Sequence, residues 1–598
     1  MSLRLRAVPW MIFALALGIR ALYVLGIDDS PLFAHPPVDG LTYVQQADRL
    51  AGRNWLGAGE PPFWQPPLYP YLLGVQRLLF GDQLFHALRY LQIVVGSLTC
   101  ALIWLVARRT ISNPLASAIA AIAGAVYGPL IFFDGEVLPA TLATFLDLAG
   151  LLLLLQALQR PAAARFAAAG AVFGLAALAV ATAIPFIVAA AVFVWWDTRR
   201  EHADARRIRW LLAYLLAAGL AILPVTVRNA VIGGEAALIS TNAGVNFWVG
   251  NNADYDGAVG ILPGWEWKDL LERPRVEAGL QRHVDHSGFF FEQSWEYIRS
   301  HPLDYIALLV RKTYLLWHGE ETGRNQGIYY WRNYSDVLAA TLWKQVIAFP
   351  FGLVAPLALI GLFLAWRRDG VTLPMVFVGV YALSVIAFFI TARYRIPLVP
   401  VLLVYAAYAG HRLVLAVRQG RFRSTAATLA LLVICNLGVT RTNMAGDPLI
   451  HFNVATAHSR NGDFENAGAN FERAVECDST YWEAWFNLGT VVAMQQDVER
   501  SVAVLERVVR ARPDKVIAWI NLARSRRLLG DREGALVAYE RGLDVDPRAF
   551  QYYSRYSELI EFYLEEGQAQ EASRVLSVAA RYHPHVAPRL RARYGLSR

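Results

Sequence analysis

The chain has 598 residues, 56% of them hydrophobic and only 17% charged, with a mean hydropathy of +0.34. That balance excludes a disordered chain, a nucleic-acid tail protein and an ordinary soluble enzyme. The net charge of +8 comes almost wholly from arginine, since lysine occurs only at 268, 312, 344 and 515, and on so apolar a chain it reports membrane topology more than nucleic-acid binding.

Spanning a bilayer takes about 20 apolar residues in a helix. Such runs recur about eleven times, near 8–26, 87–107, 114–133, 138–158, 165–181, 183–196, 209–227, 342–365, 372–390, 396–416 and 424–440. The pair at 165–196 is short and interrupted at Pro185, so it reads either as two short helices or as one span with a re-entrant piece, and the total as ten to twelve. Asp28 and Asp29 follow the first run directly, which makes it an uncleaved anchor.

Basic residues in the short loops orient the bundle. With the N terminus inside, Arg108 and Arg109, Arg160 and Arg165, the cluster from Arg199 to Arg209, Arg367 and Arg368, and Arg412 to Arg423 all fall on the inner side. The outer side then receives the long segments 28–86 and 228–341, short turns at 134–137, near 182 and at 391–395, and the tail after 441. One short outward turn breaks the charge rule, at Arg393-Tyr394-Arg395, and that exception calls for a functional explanation.

Three acids stand out at the outward side. Asp39 follows the first span by about a dozen residues and precedes an amphipathic helix, where a carboxylate can act as general base toward an acceptor or simply cap the helix starting at Gly40. Asp134 and Glu136 lie in a short turn between apolar helices, either completing the same site or standing as solvated loop acids. Gln65-Pro66-Pro67-Leu68-Tyr69-Pro70 leads into an apolar helix expected to lie in the membrane interface. Asp147 and Arg20, inside the apolar runs, read as internal pairing or snorkelling residues. The three cysteines cannot build a disulfide framework or a thiolate metal site, and His283 with His286 reads as a solvated helix face.

From residue 451 the chain repeats itself every 34 residues: Asn453, Asn487 and Asn521; Trp485 and Trp519; Asp463, Asp497 and Asp531; Phe471, Leu505 and Tyr539; Pro513 and Pro547. This pattern resembles the tetratricopeptide repeat, with three clear copies and a fourth near 549–584. The resemblance implies an α-solenoid whose concave surface takes a protein partner, or a passive spacer.

The membrane half carries a second resemblance. Asp39 with Tyr43 four residues on, the Pro-Pro-Leu-Tyr-Pro segment holding Tyr69, Tyr127-Gly128-Pro129 through Pro139, Arg228-Asn229, Asn246-Phe247-Trp248-Val249-Gly250-Asn251-Asn252 and Ala392-Arg393-Tyr394-Arg395-Ile396-Pro397 resemble the GT-C membrane glycosyltransferases. The branch is that of protein O-mannosyltransferases and aminoarabinose transferases, and the likeness covers roughly 8–415.

This resemblance implies an all-α transmembrane bundle with a mixed outward loop domain over 1–440, followed by the repeats over 441–598. It implies transfer of a sugar from a polyprenyl-phosphate donor to a protein, lipid or glycan acceptor at the periplasmic face of a bacterial inner membrane, with no cofactor required and the prenyl chain in an apolar groove. Asp39, Asp134 and Glu136 are the implied catalytic acids. Arg393, Arg395 and Arg228 are the implied donor-phosphate ligands, and Tyr43, Tyr69, Asn246 and Trp248 the implied substrate contacts. The segment Ala181-Thr182-Ala183-Ile184-Pro185 departs from the pattern, where an arginine is expected before the proline. A lipid-linked substrate transporter and a noncatalytic repeat platform are the rival readings; the first predicts ionisable residues along a central pathway, and the second leaves the Arg393-Arg395 anomaly unexplained.

Overall fold

The computed structural model describes residues 3–52, 54–111, 113–200, 202–253, 263–323, 327–420, 423–439, 447–550 and 553–595. The chain divides into two compact units, Met1–Met444 and Ala445–Arg598. Arg421 and the domain boundary expected at 440 to 441 lie outside the described residues.

The first unit runs through α1 (Leu3–Ile27), α2 (Pro31–Ala34), α3 (Asp39–Ala51), α4 (Leu68–Phe80), α5 (Leu84–Thr110), α6 (Pro114–Ala125), α7 (Gly128–Gly135), α8 (Ala140–Gln159), α9 (Ala163–Ala179), α10 (Ile184–Asp197) and α11 (Asp204–Val231). The long segment expected outside holds α12 (Ala243–Gly250), α13 (Trp265–Ala278), α14 (His283–Ser300), α15 (Pro302–Trp317) and α16 (Asp336–Thr341). A hairpin of β1 (Trp343–Lys344) and β2 (Ala348–Phe349) follows, then α17 (Phe351–Asp369), α18 (Leu373–Ala387), α19 (Ala392–Arg395), α20 (Val399–Arg418) and α21 (Arg423–Cys435).

Every apolar run of the sequence contains a helix, but the runs differ in reach. Among the described residues, six stretches are long and apolar enough to cross a membrane, and α6 with α7 makes a seventh if that pair, bent by 44°, is one span. Four more apolar helices have only 10–17 residues. The helix expected at the interface before the second span joins it through a single 3-10 turn, so Leu68–Thr110 runs on as one 43-residue stretch. The run at 342–365 begins later than its hydropathy indicates, because Trp343 stacks on Phe349 at 5.0 Å in the hairpin and the helix starts at Phe351. Residues 165–196 are two short helices, with Pro185 in the first turn of α10, where its missing N–H leaves no helical bond unmade.

Burial separates the centre of this bundle from its rim. In Leu68–Thr110 and Ala392–Arg418, 61% and 67% of the most apolar window is buried inside the protein, against 17% in α11. Tight pairs use glycine where backbones meet: a Cβ on Gly170 of α9 would fall 2.0 Å from the Tyr214 carbonyl oxygen of α11, and one on Gly361 of α17 equally close to that of Tyr405 on α20. Beside the bundle, Val245, Val249, Leu270, Phe290, Leu308 and Phe389 form a core that fixes α12 to α15 against the end of α18.

The second unit is built from α22 (Pro448–Arg460), α23 (Phe464–Cys477), α24 (Trp482–Met494), α25 (Val498–Ala511), α26 (Val516–Leu529), α27 (Arg532–Val545), α28 (Tyr553–Glu565), α29 (Ala569–Tyr582) and α30 (Ala587–Tyr594). The repeated residues do repeated work. Asp463, Asp497 and Asp531 each cap a second helix, accepting from the backbone N–H three residues on at 3.2, 3.2 and 2.9 Å. Trp485 and Trp519 each donate their indole N–H to a carbonyl six residues back, and Phe471, Leu505 and Tyr539 fill the buried seam.

Candidate functional site

The sharp turn Pro36-Pro37-Val38 delivers Asp39 to the first position of α3. Val38 sits at φ 48°, a conformation that a β-branched residue adopts only under strain, and such strain gathers at functional sites. Gly40 leaves room for the turn, since a Cβ there would lie 2.8 Å from the Pro36 side chain. The Asp39 carboxylate does not cap the helix: Val38 is the cap residue, with no side-chain cap hydrogen bond. Instead its Oδ2 accepts from Arg393 Nη1 at 2.6 Å and its Oδ1 faces Gln65 Nε2 at 3.5 Å. Arg393 also donates from Nη2 to the Tyr394 hydroxyl at 3.0 Å and lies 4.9 Å from that ring's centre.

This ion pair, between residues 354 apart in sequence, sits on the wall of a cavity of about 780 Å³, within the usual range for a ligand site. Asp39, Tyr43, Gln65, Asn246, Arg393 and Tyr394 are among the polar residues of the wall. Most of the rest is apolar, contributed by α8, α9, α10 and α18, and it reaches the protein surface at the well-exposed Leu238 and Leu383.

Arg395, expected as a phosphate ligand, does not line that cavity. Two residues along a helix turn a side chain through about 200°, so Arg393 and Arg395 leave α19 in opposite directions. Arg395 is buried against Glu321 at 2.6 Å, donates to the carbonyls of His318 and Glu320 at 2.7 and 3.0 Å, and lies 3.7 Å over the Phe351 ring. Burial pushes the Glu321 carboxyl above the ordinary carboxylate range, and Arg395 opposes that shift. With Ala392 N–H donating to the Thr322 carbonyl at 2.9 Å, this strut holds α19 and thereby aims Arg393.

Arg228, expected as a phosphate ligand, likewise does not line the cavity and stands as a scaffold residue. Its guanidinium donates to the carbonyls of Leu56, Gly57 and Pro61 at 2.9, 3.0 and 2.7 Å and lies 4.3 Å over Phe63. Asn229 beside it accepts from Phe63 N–H and donates to the Ala237 and Ile239 carbonyls. The pair ties together the two segments that carry Trp64, Gln65, Leu238 and Ile239 to the cavity wall.

Asp134 and Glu136 are neither solvated loop acids nor lining residues of the large cavity. Asp134 is buried, accepts from Arg20 Nε at 2.6 Å and from the Thr141 hydroxyl at 2.8 Å, and so closes the turn from α7 to α8 against α1. Arg20 is thus an internal pairing residue, also donating to the Ala125 carbonyl at 3.1 Å. Glu136 is buried within electrostatic reach of Arg89, whose Nε donates to the Gly135 carbonyl at 2.8 Å. Asp147 is buried in α8 and does not snorkel.

Of the four expected substrate contacts, Tyr43 and Asn246 line the cavity. Tyr69 supports Tyr43 edge to face at 5.2 Å and donates to Gln92 Oε1 at 2.8 Å. Trp248 packs against the core beside the bundle, 5.9 Å from Phe290, with the Arg273 guanidinium 5.2 Å from its ring. Other lining residues include Thr182, Tyr381 and Ser384; Thr182, in the segment where an arginine was expected before Pro185, donates to the Tyr381 hydroxyl at 3.1 Å. Glu235 binds the first N–H groups of α14, at His283 and Val284, and among the described residues no three His, Cys, Asp or Glu side chains group as metal ligands.

Residues 64–227, about a quarter of the chain, match the family model of dolichyl-phosphate-mannose-protein mannosyltransferase. That match supports a mannosyltransferase-like membrane glycosyltransferase. Residues 449–481 match the tetratricopeptide repeat model. Both resemblances read from the sequence are borne out over these stretches. No curated protein shows a significant match to the chain. Among solved structures, MamA 41-end from Desulfovibrio magneticus RS-1 is 16% identical, covering 29% of this chain and 93% of that one, with a TM-score of 0.22. YrrB, described as a TPR protein with an unusual peptide-binding site, is 14% identical, covering 30% of this chain and 87% of that one, with a TM-score of 0.22.

Proposed function

We propose that the first unit transfers a sugar from a polyprenyl-phosphate donor to a hydroxyl or amine of a protein, lipid or glycan acceptor, with inversion, at the outer face of a bacterial inner membrane. The observation that carries this reading is the meeting of one carboxylate, Asp39, and one guanidinium, Arg393, in a cavity whose remaining wall is largely apolar and reaches the surface at Leu238 and Leu383.

Each part has a task. The apolar stretch takes the prenyl chain. Arg393 holds the donor phosphate, to which a planar guanidinium is well matched. Asp39 accepts the proton of the acceptor as its oxygen or nitrogen bonds to the anomeric carbon. The bond from that carbon to the phosphate oxygen breaks, its electron pair leaves on the phosphate, and Arg393 stabilises the charge that develops. Tyr43, Gln65 and Asn246 are placed to orient the sugar or acceptor. The repeat unit recruits a protein partner to this activity.

The test is transfer of radiolabelled sugar from a panel of polyprenyl-phosphate donors by purified full-length protein, with membrane extract as acceptor. Wild type is expected to label the extract with at least one donor, and Asp39→Asn to lose that labelling. Equal transfer by folded Asp39→Asn protein would remove Asp39 as the base, and no transfer by folded wild type with any donor would overturn the reading.

A further inference from the structure

In-line displacement sets its own distances. The attacking and leaving atoms lie on opposite sides of the anomeric carbon, so a base bonded to the first and a cation bonded to the second stand roughly 6–9 Å apart, a spacing like that of the two carboxyl groups in inverting glycosidases. Asp39 and Arg393 stand 2.6 Å apart. The arrangement is therefore one that the reaction cannot use as it stands, and the pair has to open.

We infer that the Asp39 carboxylate occupies the phosphate subsite of the cavity, and that the phosphate of a polyprenyl monophosphate displaces it from Arg393. The inference rests on the proposed function and adds the order in which the site assembles.

The chemistry of the exchange is like for like. A carboxylate and a phosphate are both oxyanions that accept from a guanidinium fork, so the incoming phosphate replaces the bond from Nη1 without leaving the cation unpaired. Arg393 has reasons to stay put: its Nη2 is held by the Tyr394 hydroxyl, its plane lies by the Tyr394 ring, and its helix is fixed by the Arg395 strut. Asp39 has reasons to move: it begins a helix at a strained turn, and its contact with Gln65 Nε2 is long, at 3.5 Å. A carboxylate committed to a guanidinium is a weak proton acceptor, and one released from it is a stronger one. Donor binding thus turns the base on, and the acceptor binds productively only afterwards. The donor in turn binds more weakly than it otherwise would, because only the fraction of molecules with an open pair is competent.

The experiment is a binding cycle with farnesyl phosphate as probe, on full-length wild type, Asp39→Asn, Arg393→Gln and the double variant, each checked for cooperative thermal unfolding. Asp39→Asn is expected to tighten binding about tenfold. Arg393→Gln is expected to weaken it by at least that factor, and in the Arg393→Gln background Asp39→Asn is expected to change affinity less than about threefold. Tightening by the same factor in both backgrounds would mean plain repulsion between carboxylate and phosphate and would overturn the exchange, as would unchanged affinity in Asp39→Asn. An Arg393→Gln protein that binds the probe as wild type does would overturn the assignment of the phosphate to Arg393 itself. If Arg393→Gln does not fold, Arg393→Met, which keeps the apolar stem and removes the cation, takes its place at both corners, with loss of the tenfold difference again the expected result.

Discussion

The two units use the same chemistry, arginine against a carboxylate, in opposite ways. In the membrane unit, Arg20 with Asp134 and Arg395 with Glu321 are buried pairs between residues 114 and 74 apart in sequence. In the repeat unit, Arg524 with Glu558, Arg532 with Glu566 and Arg574 with Glu540 are well-exposed pairs, each linking residues 34 apart. An exposed pair is solvated in either state and contributes about 0 to 1 kcal/mol. Removing one partner of a buried pair strands the other in low dielectric and costs about 3–5 kcal/mol. The repeat period lays down its pairs as a by-product of stacking like modules, whereas each buried pair is one specific decision about which helices meet.

That contrast can be broken at its strongest point first. Asp39→Asn should lower transfer by about 10²- to 10⁴-fold, the usual worth of a general base, with little change in thermal unfolding, because Asp39 is the partly exposed, exchangeable member of its pair. Asp134→Asn should do the reverse, lowering the unfolding midpoint while the folded protein keeps most of its transfer activity; a loss of activity matching that of Asp39→Asn would restore Asp134 as a catalytic acid.

Arg395→Met should cost about 3–5 kcal/mol in denaturant unfolding and also reduce transfer, since it both strands Glu321 and frees the helix that aims Arg393. Glu321→Gln with Arg395→Met together should recover stability, because no charge is then left without its partner.

Lys312 sharpens the comparison through pH. It is buried on α15 with its Nζ donating to Asn251 Oδ1 at 2.9 Å, and burial lowers its ammonium from the usual 10.5 to about 7. Between those values the unfolded chain binds the proton that the folded chain releases, so this side chain makes stability rise as pH goes from about 7 towards 10.5. Lys312→Met should flatten that rise in thermal unfolding followed across the window. The smallest effect is expected in the repeats: Arg524→Ala should cost no more than about 1 kcal/mol and less still at high salt. A cost above about 2 kcal/mol there would show that the exposed ladder is a cooperative network.

Much of the fold was legible before any coordinates. The apolar runs marked every membrane helix, and the 34-residue period marked the repeat helices and the recurring aspartates, whose capping role the structure shows. The site was legible only in part. Asp39, Tyr43, Asn246 and Arg393 do share one cavity, drawn from three separate elements. Tyr381 and Ser384 join them from the middle of an apolar run that gives no local sign of it, and Trp248 is drawn instead into a packed core.

By itself the sequence determined where helices form, which faces are apolar and how the tail repeats, because those properties depend on neighbours within a turn or a module. Only the tertiary structure decided the fate of each charge. Arg393 and Arg395 are two residues apart and chemically identical, yet one lines the cavity and the other is buried as a strut. Their difference is made by Asp39 and Glu321, 354 and 74 residues away, because the partner and the local dielectric that fix what a charge can do arise only when distant helices pack.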